Sequence, residues 1–250
     1  MNNNSRDVAV FIPCFMDQFS PETSLNMVKI LERLNCNVHV LTSSYCCGQP
    51  AYNAGFFYDA KEVGLKMLYN LNKWNGPIII PSGSCTGYIR NNYPQIFKKQ
   101  ADRKNAKEKA AHVYEFTEFL VDVLKVELPK ELYAPYTVTY HDSCGALRFC
   151  KIEEGPRTLL KQINGVKLIE MDEAQTCCGF GGTFTVKFSE IAAGMAENKA
   201  QSALKTSTDY MVSTDTSCFL HLQSYFNQKE YAIKTIHIID FIAKAWNIPT

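Results

Sequence analysis

The chain has 250 residues, which is enough to bury one substantial hydrophobic core or two small ones. Hydrophobic residues make up 46% and charged residues 20%, as in an ordinary globular protein. The 26 basic and 25 acidic side chains leave a formal net charge of +1, which excludes strong attraction to nucleic acid or anionic lipid.

The start of the chain and its apolar stretches bear on location. The first residues are polar and run directly into a strand-like segment, without the basic and apolar regions of a signal peptide. Apolar stretches are far shorter than the roughly 20 residues that span a bilayer. We therefore expect a cytoplasmic protein with no membrane span and no nucleic-acid partner.

In chain order, short β-rich runs alternate with segments of helical periodicity. The runs that predict buried parallel strands, each leading to a cysteine, are residues 8–13, 37–45, 77–84, 137–143, 166–176 and 209–217. The segments that favour helix are residues 21–35, 53–74, 156–163 and 189–204. This alternation is typical of βαβ units with right-handed crossovers. We therefore predict an α/β fold with parallel sheets.

Eight of the ten cysteines form two matching sets. The sets are Cys14, Cys46, Cys47 and Cys85, and Cys144, Cys177, Cys178 and Cys218. Moving one onto the other takes offsets of 130, 131 and 133 residues for the first cysteine, the adjacent pair and the last cysteine. Such a near-constant offset indicates an internal duplication. We predict two similar halves, residues 1–133 and 134–250.

The first half carries an extra segment, residues 98–133, with a charged start followed by an apolar-periodic stretch. We predict a helical insertion that joins the halves or packs on one of them. In both halves, each motif cysteine is expected just past the carboxyl end of a strand, where open α/β sheets form their sites. Residues more than 30 positions apart would meet there.

Four cysteines in each half are consistent with zinc or with an iron–sulfur cluster. Structural zinc sites usually use Cys-x-x-Cys knuckles, whereas this chain has adjacent cysteines. Neighbouring side chains in an extended segment diverge, which favours a polynuclear cluster over one shared ion. Thiol–disulfide chemistry within each pair is a third alternative, although a disulfide between neighbours is strained.

Glycines follow both cysteine pairs and are candidates for cofactor binding. Gly48 and Gly179 let the backbone turn sharply, approach a metal site and offer N–H groups to sulfur. Gly181 and Gly182 extend the second motif and suggest either a phosphate loop or a tight strand-to-helix turn. Their spacing matches neither a P-loop nor a dinucleotide fingerprint.

The duplicated arrangement resembles the cysteine-rich Cys-Cys-Gly domain that occurs in heterodisulfide reductase and in the iron–sulfur subunit of glycolate oxidase. Three stretches of the second half are more narrowly similar to the lactate utilization protein A family. They are YHDSC at residues 140–144, CCGFGGTFTVKFSEI at residues 177–191 and VSTDTSC at residues 212–218. The resemblance covers nearly the whole chain.

The resemblance implies an iron–sulfur electron-transfer subunit of a complex that oxidises L-lactate to pyruvate. All eight motif cysteines would be ligands of one or two clusters, expected to be 4Fe-4S. Other subunits of the complex, including a ferredoxin-type iron–sulfur subunit, would be its partners. The chain would be a subunit of an oxidoreductase complex rather than a complete enzyme, and no acid–base catalytic residue is identifiable in its sequence. The alternative is a zinc-stabilised scaffold subunit that transfers no electrons.

The chain departs from the reductase pattern, in which each half ends in Cys-x-x-Cys. Tyr88 and His221 stand where a fifth thiolate would be. A conventional cluster in each half, a cluster in one half and zinc in one half all stay open. His221 could ligate the metal or form an ordinary hydrogen bond. His141, three residues before Cys144, is expected to be bonded to backbone, with donation toward the site as the alternative.

Cys36 and Cys150 fall outside the repeat. A buried free cysteine behaves as a small hydrophobic residue, and we expect this for both.

Overall fold

The computed structural model describes residues 6–41 and 46–249. It contains two four-stranded sheets whose strand pairs are all parallel. The first sheet has strands β1 (Arg6–Val10), β2 (Cys36–Val40), β3 (Ile78–Ile80) and β4 (Val113–Glu115). The second has β5 (Thr137–Tyr140), β6 (Lys167–Leu168), β7 (Tyr210–Ser213) and β8 (Lys234–His237). The predicted fold class, two similar parallel-sheet α/β halves, is confirmed.

Both sheets have the same strand order, β2-β1-β3-β4 and β6-β5-β7-β8. The first strand of each half therefore lies between the second and the third. The connection that follows the first strand runs to one side of the sheet, and the connection that follows the third strand runs to the other side. This arrangement opens a crevice between the carboxyl ends of these two strands. Cys14 and Cys85 follow these two strands in the first half, and Cys144 and Cys218 follow them in the second.

Helices cover the sheets. The first half contains α1 (Cys14–Phe19), α2 (Pro21–Arg33), α3 (Gln49–Asn53), α4 (Phe57–Leu71), α5 (Gly83–Ile96), α6 (Gln100–Ala110), α7 (Phe116–Glu118) and a π-helical turn (Phe119–Leu124). The second contains a π-helical turn (Gly145–Cys150), α8 (Glu154–Lys161), α9 (Thr183–Lys187), α10 (Ser189–Leu204), α11 (Thr216–Gln228) and α12 (Ile238–Ala245). All four segments predicted as helix contain one, in α2, α4, α8 and α10.

The segment 98–133 is only partly the helical insertion that the sequence predicted. It contains α6 and α7, but β4 lies between them and pairs with β3 in the first sheet. The strand was missed because it is three residues long and follows a strongly charged helix. The predicted run 37–45 is strand only in its first part, and residues 42–45 lie outside the described residues.

One apolar core joins the halves. It combines side chains from α2 and the Phe119–Leu124 turn with others from β5, α8 and α12. Polar contacts reinforce it, because Asp240 of α12 accepts hydrogen bonds from Thr23 at 2.7 Å and from Asn26 at 2.9 Å. The shared core fixes the position of one sheet relative to the other.

Across residues 6–41 and 46–249, none of the helices has the length and apolar character needed to cross a bilayer.

Candidate metal centre

The motif cysteines occupy the same three places in each half. Cys14 begins α1 and Cys144 directly precedes the Gly145–Cys150 turn, each shortly after the first strand of its half. The adjacent pairs precede the short helices α3 and α9. The last cysteines, Cys85 and Cys218, lie in the first turns of α5 and α11. The predicted placement past the strand ends is what the structure shows.

All eight motif cysteines line one cavity of about 200 Å³. Apolar side chains, including Phe15, Met16 and Phe180, form much of the remaining wall. The two cysteine groups therefore face a common space between the halves. The sequence of one repeat alone does not predict that the two cysteine groups share this cavity.

In the first half the four sulfur atoms form a chain of contacts. The Sγ atoms of Cys47 and Cys85 are 3.5 Å apart. Cys46 accepts hydrogen bonds from the thiols of Cys14 and Cys47, and together they lower the pKa of Cys46 to about 3. The backbone N–H of Gly48 donates to the same sulfur at 3.4 Å. Cys46 is thus the sulfur on which these hydrogen-bond donors converge.

The second half repeats this chain. Hydrogen bonds from the thiols of Cys144 and Cys178 lower the pKa of Cys177 to about 2. Cys178 also bonds to Cys218, and the bond to Cys177, this contact and burial raise the pKa of Cys178. Backbone N–H groups point at the sulfurs here too, from Gly179 to Cys177 at 3.4 Å and from Phe180 to Cys178 at 3.5 Å.

The adjacent side chains of each pair do not diverge as predicted from sequence. Both pairs lie outside the strands, and the two thiols of each pair are hydrogen bonded. Neighbouring side chains point apart in an extended backbone. Each cysteine pair instead leads directly into a glycine with a left-handed backbone conformation, where the chain turns. Side-chain divergence therefore gives no reason to prefer a cluster over a single ion.

Gly48 and Gly179 are required by close packing as well as by conformation. Their φ angles are +92° and +93°, in the left-handed region that other residues rarely adopt. A Cβ atom at Gly48 would lie 2.9 Å from the carbonyl oxygen of Ala60, and one at Gly179 would lie 2.7 Å from that of Ala192. Gly181 and Gly182 line the cavity and lead into α9, whose five residues make a tight turn into helix.

The two histidines of the second half are placed differently. His141 is fully buried, and one of its ring nitrogens and the Sγ atoms of Cys178 and Cys218 all lie within 4.8 Å of one another. Burial, assisted by the charge of Lys199, lowers the pKa of His141 to about 3, so its ring is neutral. His221 is half-buried, and its ring centroid lies 6.1 Å from that of Phe180.

Sequence reasoning gave His221 more weight than His141, and it did not consider Lys199. Lys199 is completely buried in α10, and its amine donates to the backbone carbonyls of Glu173 and Ala174. Burial lowers its pKa to about 8. The signal that could have identified this residue is a lysine on the apolar face of a helix that follows the second cysteine pair.

Contacts between the halves close one side of the cavity. A Cβ atom at Gly83 would lie 2.6 Å from Ala146, and one at Gly145 would lie 2.6 Å from Ser84. The carboxylate of Asp215 accepts a hydrogen bond from the backbone N–H of Ser84 at 3.0 Å. The α5 helix and the Gly145–Cys150 turn are therefore in backbone contact.

The two remaining cysteines are buried, as expected. Cys36 belongs to the core that joins the halves. The thiol of Cys150 donates to the carbonyl of Gly83 at 3.5 Å, and burial raises its pKa to about 12.

Comparison with known proteins agrees with the repeat. The model of the cysteine-rich domain family CCG matches residues 8–90 and 138–223. Lactate utilization protein A of Anoxybacillus flavithermus is 35% identical over 238 residues, covering 94% of this chain and 98% of that protein. The protein of that name from Bacillus thuringiensis is 37% identical over 237 residues, with the same coverage of both chains. The chain belongs to this family of cysteine-rich proteins.

Among solved structures, a hypothetical protein from Helicobacter pylori has a similar fold. Its TM-score is 0.60 at 13% sequence identity, covering 98% of this chain and 51% of that one. At this identity the likeness concerns the fold alone.

The donor set fits a metal centre. The cavity brings together eight thiols, which are soft ligands suited to zinc or iron, and backbone N–H groups that stabilise their anionic forms. Cysteine-rich family membership and the group of His141, Cys178 and Cys218 both support metal binding.

Proposed function

We propose that this chain is an iron–sulfur electron-transfer subunit of a complex that oxidises L-lactate to pyruvate. The observation that carries the proposal is the single cavity lined by all eight repeated cysteines. Its relatives are named for lactate utilization, and they match this chain over nearly its whole length. Those names support the substrate class, and the cavity lined by cysteines supports the kind of cofactor.

The volume between the sulfur atoms favours a cluster over isolated ions. A structural zinc ion is enclosed by its four ligands and leaves no space beside it. A polynuclear cluster adds several irons and inorganic sulfides, which occupy volume between the cysteines. The cavity of about 200 Å³ lies between the two cysteine groups. It provides the room that such clusters need.

Under this proposal the four cysteines of a half would hold one 4Fe-4S cluster, which gives one or two clusters per chain. When bound, a cluster of this type supplies one-electron transfer. The chain's own groups have separate roles around it. Backbone N–H groups of Gly48 and Gly179 stabilise negative charge on the sulfurs, and Phe15 and Phe180 exclude water.

Oxidation of lactate to pyruvate releases two electrons and two protons, and we assign their removal to a partner subunit. Electrons would pass between that subunit, this chain and a ferredoxin-type iron–sulfur subunit. Large exposed apolar side chains on the elements around the cavity, such as Phe19, Val186 and Phe188, support contact with other proteins. The ten free thiols suit a reducing compartment, so we place the complex in the cytoplasm.

A zinc-stabilised scaffold is the second candidate, and one observation favours it. The Sγ atoms of Cys47 and Cys85 are only 3.5 Å apart, and the donor atoms of His141, Cys178 and Cys218 lie within 4.8 Å of one another. These spacings are those of ligands around one tetrahedral ion. In that case the cysteines would stabilise the fold without transferring electrons.

Metal analysis after strictly anaerobic purification separates the two candidates. We expect about four to eight irons per chain with matching acid-labile sulfide, for one or two clusters. Cys178→Ser should remove the cluster of the second half and its EPR signal. Cys36→Ser is the matched control, because Cys36 is also buried but belongs to the shared core. It should keep the full iron and sulfide content.

Zinc at one or two ions per chain, without sulfide, would overturn the electron-transfer proposal. Lactate oxidation by the assembled complex gives an independent readout. It should be lost in Cys178→Ser and retained in Cys36→Ser. Unchanged lactate oxidation in Cys178→Ser would favour the scaffold.

A further inference from the structure

Aligning the two halves shows where their centres differ. The buried residues of α4 and α10 correspond one for one at an offset of 132 residues. Those of α4 are Ala60, Gly64, Met67, Leu68, Asn70 and Leu71, and those of α10 are Ala192, Ala196, Lys199, Ala200, Ser202 and Ala203. The repeat therefore extends to side-chain burial beside the cysteines.

The residue three positions before the first cysteine differs in chemistry between the halves. It is Phe11 in the first half and His141 in the second, and both are buried. Phe11 belongs to an apolar cluster that also contains Cys47. At the equivalent place, one ring nitrogen of His141 and the Sγ atoms of Cys178 and Cys218 lie within 4.8 Å of one another.

Within the described part of the chain, neither ring nitrogen of His141 has a well-formed hydrogen bond. The carbonyl of Ala174, which faces the ring, already accepts from the N–H of Asp142 at 3.0 Å and from the amine of Lys199 at 3.1 Å. Buried polar groups in native proteins are nearly always satisfied. An unpartnered imidazole beside two cysteine sulfurs therefore points to a group that binds between them.

We propose that His141 is a nitrogen ligand of the metal centre held by the second-half cysteines. That half then offers one imidazole besides its four thiols, so the imidazole would take one metal position in place of a thiolate, whereas the first half offers thiols alone. Nitrogen in place of sulfur on an iron raises the reduction potential of a cluster. The second-half centre is thus the higher-potential one and accepts electrons from the first.

The proposal rests on the proposed function only for its redox consequence, because a zinc ion could also accept the imidazole. The ligand itself is tested on the full-length chain stripped of metal and titrated with Co²⁺. Binding of Co²⁺ to thiolates is followed by sulfur-to-metal charge-transfer absorption. We expect His141→Phe, which installs the first-half residue, to weaken the second-half site at least about tenfold. His221→Phe is the matched control and should leave this site unchanged.

The reduced, anaerobically purified protein provides the second readout. Pulsed EPR should show the ¹⁴N coupling of a bound imidazole, which is lost in His141→Phe and kept in His221→Phe. His141→Cys restores a ligand without nitrogen. It should therefore bind metal normally while lacking the ¹⁴N coupling, which shows that loss of binding in the phenylalanine variant is not a folding defect.

Two results would overturn the ligand assignment. One is an unchanged Co²⁺ affinity and ¹⁴N spectrum in His141→Phe with a folded chain, and the other is loss of both in His221→Phe. Failure of the proposed function gives a different pattern. The purified chain would then contain no iron or sulfide, while the Co²⁺ titration would still report on His141.

Discussion

The two halves have the same strand order and the same four cysteines, but they surround them with different side chains. In the first half, Tyr88 is buried and packs edge-on against Tyr52 and Tyr93 at 5.5 and 5.6 Å between ring centroids. In the second half, His141 and Lys199 are buried beside the thiols. Duplication preserved the backbone that places the sulfurs, whereas the electrostatic environment diverged.

This difference has a physical consequence for any charged centre. An aromatic, apolar surrounding leaves added negative charge poorly solvated, whereas a buried ammonium group compensates it. Lys199 stands where the first half has Met67, at matching positions of α10 and α4. The second half is therefore the better environment for a reduced metal centre. Three experiments on stability test how far the halves differ.

The largest expected effect concerns the ion pairs of the two halves. Arg157 forms two bonds of 2.8 Å to the fully buried carboxylate of Asp142, next to His141. We expect Arg157→Met to lower the free energy of unfolding by about 3–5 kcal/mol. The reason is that the buried carboxylate of Asp142 would lose the guanidinium that pairs with both of its oxygens. Urea denaturation of the metal-free chain measures it.

The matched control for this experiment lies in the first half. Arg90 pairs with Glu118 through bonds of 3.0 and 2.7 Å, but both side chains are partly exposed. Arg90→Met should cost only about 1 kcal/mol, since solvent compensates the remaining charge. Equal losses in the two variants would contradict the view that the second half depends more strongly on a deeply buried ion pair than the first half does.

An intermediate effect is expected where the halves touch. On one side of the cavity α5 meets the Gly145–Cys150 turn through glycine backbone, whereas on the other side α1 meets α11 with Phe15 and Phe180 nearby. Gly145→Ala should destabilise the chain by about 1–3 kcal/mol, because the new Cβ would lie 2.6 Å from Ser84. Thermal unfolding and metal content check the result.

Gly194 provides the control for added volume. It lies in α10, and among the described residues no atom beyond its chain neighbours and the local helix backbone is within 4 Å of where its Cβ would be. Gly194→Ala should stabilise the chain by about 0.5–1 kcal/mol through better helix propensity. If neither substitution lowered the stability of the chain, the contact between α5 and the Gly145–Cys150 turn could widen at no cost in stability. That result would contradict a tight backbone contact between the halves at this place.

The smallest effect is a pair of opposed pH dependences at equivalent helix caps. At the end of the fourth strand of each half, Glu115 accepts from the N–H of Thr117 and His237 accepts from that of Ile239. Burial raises the pKa of Glu115 from 4.5 to about 7. Between these values the folded chain holds a proton that the unfolded chain has released, so stability falls as pH rises.

His237 has the opposite sign. Burial lowers its pKa below the ordinary 6.5, so the unfolded chain takes up the proton first and stability falls as pH drops below about 6.5. Glu115→Gln should remove the loss toward neutral pH, and His237→Asn should remove this loss toward acid. The two substitutions should therefore change the slope of stability against pH in opposite directions. Urea titrations of all three chains at several pH values measure the slopes.

Much of the fold was predictable because its signals are local. The β-rich runs and the periodic segments that became α2, α4, α8 and α10 are readable within a few turns of chain. Strand β4 was missed because three residues carry too little pattern beside the charged α6. The boundary near residue 134 stays a prediction; it falls between β4 and β5, in the stretch that links the two sheets.

The candidate site was predictable in its residues more than in its arrangement. All eight cysteines follow from the repeat, and so do the left-handed Gly48 and Gly179. Sequence could not rank His141 above His221, since both stand three residues from a motif cysteine. Ranking them requires the direction of each ring, which depends on the strand or helix that carries it.

The sequence by itself determined that this protein has two α/β halves and two sets of four cysteines past the ends of parallel strands. It did so because cysteine spacing and hydrophobic periodicity are properties of short segments. Only the tertiary structure decided that both sets open onto one cavity and that His141 lies among the thiols. Those facts depend on distances across the shared core and on the backbone contact of Gly83 with the Gly145–Cys150 turn, which packing of the whole chain fixes.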